Sequence, residues 1–115
     1  MRTLFITGFL VVLISACSST SGRGNDKYTQ TWSKSYASTT CTDWNDQMSD
    51  AQKFAGAADM LTGARNNGDG GSGLPADSLI EEFQGGVTTA CVIPTANVAE
   101  IGAGVYLTER ETFRP

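Results

Sequence analysis

Apolar and polar positions fall in blocks along this chain, and each block has its own period. Leu4 to Ile14 is an apolar run of eleven residues behind Arg2. A membrane-spanning helix needs about 20 apolar residues, so this run matches the core of a secretory signal instead. Residues 18–37 are rich in Ser, Thr, Gly, Asn and Lys, the composition of a tether. Tyr28, Trp32 and Tyr36 interrupt it at every fourth position, which suits one face of a helix or of a strand. The expected role is a tether with adhesive aromatics, of which Tyr36, nearest the domain, packs on it.

From residue 38 the period changes. Thr40 with Asp43 three residues on predicts a capped helix over about 41–47, with Cys41 at its first position and Trp44 in the next turn. Ser49 with Gln52 repeats the signature. Behind it Ala51, Phe54, Ala55, Ala58, Leu61 and Ala64 lie on one stripe of helical period, closed by Asn66, Asn67 and Gly68. Gly56 and Gly63 weaken this helix unless another helix approaches closely there. A glycine-rich loop leads to Pro75, a favoured first-turn residue. Leu79, Ile80, Phe83, Val87, Ala90 and Cys91 form the next stripe, weakened in the middle by Gly85 and Gly86, where a kink can form, and stopped at Pro94. Asn97 with Glu100 caps a last element, 97–108, with Val98, Ile101 and Val105 on one face; "VYLTERETF" alone also reads as a strand. Residues 111–115 are expected to fray. The fold class is therefore all-α: a three- to four-helix domain, 38–110, behind a signal (1–16) and a tether (17–37).

Composition narrows the chemistry. The formal charge is −4, from 8 basic and 12 acidic side chains. That disfavours nucleic acid, whose phosphates demand a basic face. There is no histidine, so the commonest general base and metal ligand is missing. The loop around Asp69 lacks the alternating acids of an EF-hand, and no Gly-Lys-Ser/Thr cradle occurs. No metal or cofactor is expected. Asp43, Asp46 and Asp50 recur at helical spacing, and Glu81 and Glu82 are adjacent. Capped helix starts and solvated faces explain them better than paired acid–base catalysis does, so the chain is read as a non-enzyme with no defined ligand site.

The three cysteines divide into one and two. Ile14-Ser15-Ala16-Cys17 resembles the lipobox of bacterial lipoproteins. That resemblance implies a diacylglycerol on the Cys17 thiol, cleavage before it, and often an acyl chain, such as palmitate, on its amine. One acyl chain holds a protein at a membrane only marginally, whereas two or more anchor it stably. The implied location is the cell membrane or the outer membrane, with the domain facing the periplasm or the exterior. Cys41 and Cys91 remain as a disulfide pair, permitted by export, which would stabilise a small core. With no histidine to activate it, a nucleophilic cysteine is not expected.

The segments "TTCTDW" and "TTACV", with an alanine-rich helix and a Gly/Pro loop between them, resemble the periplasmic acid-stress chaperone family. Cys41, Asp43, Trp44 and Cys91 carry the likeness, over about residues 39–107. It implies an all-helical fold with one disulfide and a holdase that exposes apolar surface in acid. The chain is also similar to small lipoproteins of actinobacteria and their phages, with this helical module behind a lipobox. The expected function is a membrane-anchored, non-enzymatic module that contacts another protein. The alternatives are an acid-stress holdase and a prophage-encoded factor that excludes superinfecting phages.

Overall fold

A computed structural model describes residues 26–115. The domain is helical: α1 is Asp50–Gly68, α2 Asp77–Ala90, α3 Val98–Thr108 and α4 Arg110–Phe113. A 3₁₀ turn, Tyr36–Ser38, and a π-helical turn, Asp43–Gln47, precede them. No strand occurs among the described residues, only one antiparallel bridge between Thr40 and Asn97. The ambiguous last element is thus a helix.

Local chemistry accounts for most boundaries. At α1 the Ser49 hydroxyl accepts from Gln52 N at 3.1 Å and the Gln52 side chain accepts from Ser49 N at 2.9 Å, a closed capping box. Thr40 and Asp43 make the same reciprocal pair, at 3.2 Å each way. Asn97 caps α3 by accepting from Glu100 N at 3.2 Å. The turn after Thr40 widens, with Met48 N donating to Asp43 O, a five-residue span. After α1 the chain reverses through Gly70 and Gly73, at φ 75° and 70°, a region costly for any residue with a Cβ.

The core joins the three main helices. Ala58 and Leu61 of α1, Ile80, Phe83 and Val87 of α2, and Val98 and Val105 of α3 are buried with Trp44. The Trp44 indole N–H donates to Thr88 Oγ1 at 2.9 Å, so its polar atom is satisfied. Cys41 and Cys91 are both buried and disulfide-bonded, with S–S 2.06 Å.

Several expectations are corrected. α2 runs unbroken through Gly85 and Gly86. Gly86 instead permits close packing, because a Cβ there would lie 2.9 Å from Val105 Cγ1. In α1 it is Gly56 that lies under other side chains, Gln30 and Tyr36, whereas Gly63 has only Asn67 of its own helix near it. Ala51 falls outside the buried stripe, being exposed. α2 starts two residues after Pro75.

The ends are also longer than expected. Among the described residues the packing extends N-terminal to residue 38, back to Lys27. Lys27 and Tyr28 bond to Asp77, Trp32 Nε1 donates to Thr39 Oγ1 at 2.8 Å, and Gln30 Nε2 donates to Gln52 O at 3.0 Å. Tyr28 and Trp32 pack against the core as well as Tyr36 packing on α1. Nor do residues 111–115 all fray. Phe113 is 1% exposed and stands edge-on to Phe83 at 5.3 Å.

Candidate functional site

Cys17, the expected lipidation residue, and the lipobox Ile14 to Cys17 lie outside the described residues. The other two cysteines are brought together, and their bond anchors a turn. Cys41 N donates to Ala96 O at 2.9 Å, and Thr42 donates to Pro94 O through its N–H and its hydroxyl, at 3.1 Å each. Asn45 Nδ2 donates to Cys91 O at 3.3 Å. The turn over 91–96 is thereby fixed to the segment Cys41–Asn45. It carries Val92 and Ile93 outward, 76% and 59% exposed.

The carboxylates considered as catalytic pairs have other work. Asp43 takes Lys34 at 3.0 Å and the Thr40 cap, and those contacts, the Lys34 hydrogen bond first, hold its pKa below the usual carboxylate range. Asp46, Asp50, Glu81 and Glu82 are exposed. Asp77 binds Lys27 and the Tyr28 hydroxyl, and its pKa too is lowered, first by the Lys27 hydrogen bond. Among the described residues no group of three His, Cys, Asp or Glu side chains could hold a metal.

Asp69, weighed only as an isolated acid in the loop, ties the C-terminal helix to the loop. Arg110 pairs with it through Nε, at 3.1 Å, and through the guanidinium end, while the Tyr106 hydroxyl donates to Oδ2. The Arg110 hydrogen bond, then that from Tyr106, brings its pKa down to about 2. The triad borders a groove of about 430 Å³ between α1 and α3, floored by Gly63, Ala64 and Ala103 and edged by Leu107. A second groove, about 470 Å³, runs between α2 and α3 past Gly86 and Val105 and has Glu82 and Glu109 at its rim. Both are open and shallow, and their linings suit apolar contact rather than bond chemistry.

Arg110, Tyr106, Val92 and Ile93 drew no attention in the sequence. Arg110 stood in a charged tail, and only the fold places it 41 residues back along the chain beside Asp69. Val92 and Ile93 continue the apolar run of α2, and their exposure depends on the helix ending at Ala90. No described helix is long and apolar enough to cross a membrane. No family model, curated protein or solved structure matches the chain.

Proposed function

We propose that this protein is a lipid-anchored envelope lipoprotein whose stapled helical domain contacts another protein without catalysing a reaction. The observation that carries this reading is Ile14-Ser15-Ala16-Cys17 at the end of a short apolar run. The domain's character supports it. Asp43, Asp69 and Asp77 each engage neighbouring side chains in contacts that hold elements together, which favours structural over catalytic roles. The decisive measurement is the mass of the mature protein with and without reductant. A diacylglyceryl group on an N-terminal Cys17 is expected, with a mass gain of two hydrogens on reduction. A mature chain that starts elsewhere, or an unmodified Cys17, sinks the reading. The variant Cys17→Ser should leave the membrane fraction.

A second reading, an acid-activated holdase, is favoured by one specific arrangement. The aromatic segment Lys27 to Tyr36 is latched to the helices by carboxylates: Asp77 takes Lys27 and Tyr28, Asp43 takes Lys34, and Asp59 takes the Tyr36 hydroxyl. Protonating them removes the charged acceptors and frees apolar surface around Phe54 and Trp32. Light scattering from an aggregating client at pH 2 to 3 tests this, and absence of suppression there excludes it.

A further inference from the structure

The groove between α2 and α3 carries two features that the fold itself does not use. The first is a pair of bare helix positions. Gly86 and Gly102 have a reason inside the domain, since a Cβ there would lie 2.9 Å from Val105 Cγ1 and 3.0 Å from Met60 Sδ. Gly85 and Gly104 have none. Both are exposed, both line the groove, and a Cβ on either meets nothing within 4 Å. Glycine inside a helix is less stable than alanine, and no packing within the domain offsets that loss at these two positions. What a missing Cβ supplies there is close approach to the backbone by something outside the domain.

The second feature is charge. Glu82 on α2 and Glu109 at the end of α3 border the same groove, and both are exposed. Among the described residues neither is in an ion pair, whereas Asp43, Asp69 and Asp77 all are. No Lys or Arg lines this groove, in contrast to the groove between α1 and α3, which has Arg110. A small-residue floor beside two unpaired carboxylates complements a surface of small or apolar side chains with Lys or Arg next to them. The same carboxylates disfavour an anionic bilayer. They also disfavour a second copy of this chain, whose formal charge is −4.

We propose that the α2–α3 groove seats a helix of a partner protein, small or apolar side chains over Gly85 and Gly104, with Lys or Arg meeting Glu82 and Glu109. This deepens, and rests on, the reading of the domain as a module that contacts another protein. A helix suits the site because a groove between two helices takes the apolar face of a third. Among the described residues there is no strand edge for an extended segment to join. α2 borders the groove from Glu82 to Ala90, a length of about 12 Å, or about two turns of the partner.

The test uses the full chain in its own cells, with a diazirine amino acid in place of Thr89, which is exposed and lines the groove. The control is the same residue in place of Ser78, exposed on α2 outside it. Position 89 should yield a protein adduct at least tenfold above position 78, and its crosslinked peptide should carry Lys or Arg within one helical turn of the crosslink. Gly85→Ala should lower the yield at least threefold while raising the melting temperature, a pairing that a merely structural glycine would not give. Glu82→Lys with Glu109→Lys should lower the yield at least fivefold, and exchanging the partner's Lys or Arg for Glu should restore it. Adducts with lipid or with a second copy of the chain, equal yields from both positions, or a crosslinked peptide without a cation overturn the proposal. So do yields indifferent to these substitutions. Melting curves separate loss of contact from loss of fold, and a Lys pair that melts early is replaced by Glu82→Gln with Glu109→Gln. The mass of the Cys17 peptide is read from the same cells. An acylated Cys17 without a groove-dependent adduct overturns the groove alone, and an unmodified Cys17 with the adduct intact overturns the anchor alone.

Discussion

Gly85 and Gly86 are neighbours in sequence with opposite surroundings. A Cβ on Gly86 would lie 2.9 Å from Val105 Cγ1, whereas one on Gly85 meets nothing within 4 Å. Overpacking costs about 1–3 kcal/mol, and replacing helical Gly by Ala gains up to about 1 kcal/mol. Gly85→Ala should therefore raise the denaturation midpoint and Gly86→Ala should lower it. Adding Val105→Ala to Gly86→Ala should make the second substitution less costly than it is alone, as a double-mutant cycle would show. Asp69 gives a pH signature. Its pKa in the folded chain, about 2, lies below the ordinary 3.8, so the folded state binds this proton less readily than the unfolded one. The stability it supplies is complete above the ordinary value and disappears as pH falls through about 2. Melting temperature should drop between pH 4 and pH 2, and Asp69→Asn should flatten that part of the profile while lowering stability at pH 7.

The segments at the two ends of the domain act as covers for the helices. Trp32 is half-buried and bonded to Thr39, and Tyr28 packs at 5.9 Å against Phe54. Trp32→Ala should cost about 1–3 kcal/mol, less than a fully buried Trp, and leave Thr39 short of one partner. The short α4 is held by Phe113 edge-on to Phe83 and by Arg110 on Asp69. Phe113→Ala should cost about 3–5 kcal/mol, whereas removing Pro115 alone should be close to neutral. Urea unfolding of the isolated domain, residues 26–115, measures both. A frayed tail would predict no effect from Phe113→Ala.

The disulfide links the residue two before the π-helical turn to the end of α2 across a sequence separation of 50 residues. On the chain-entropy view a loop of that size stabilises the fold by about 4 kcal/mol, which is a large share of what a domain this small has in total. Reduction should shift the urea midpoint strongly downward. It should also loosen the turn over 91–96, since Cys91 is one of its fixed points. Cys41→Ala with Cys91→Ala is the cleaner comparison, because it removes the bond without leaving free thiols.

The elements themselves were legible in the sequence because their causes are local. A Ser and a Gln three residues apart close a capping box wherever they fall, and a stripe of period 3.6 requires a helix with a buried face. The pairing of Cys41 with Cys91 was also legible, once Cys17 was set aside for lipid. Apart from Tyr36, the packing of residues 26–37 was not. A polar, serine-rich stretch has the composition of a tether, and its attachment depends on Asp77, Asp59 and Gln52 arriving from helices 22 to 50 residues away. Phe113 was hidden in the same manner, its partner Phe83 lying thirty residues back. Helix ends and stripes follow from neighbours within one or two turns. Which polar side chain finds a carboxylate, which glycine lies under a neighbouring helix, and which apolar pair is left in solvent are decided only when the helices pack, because long-range contacts leave no period in the chain.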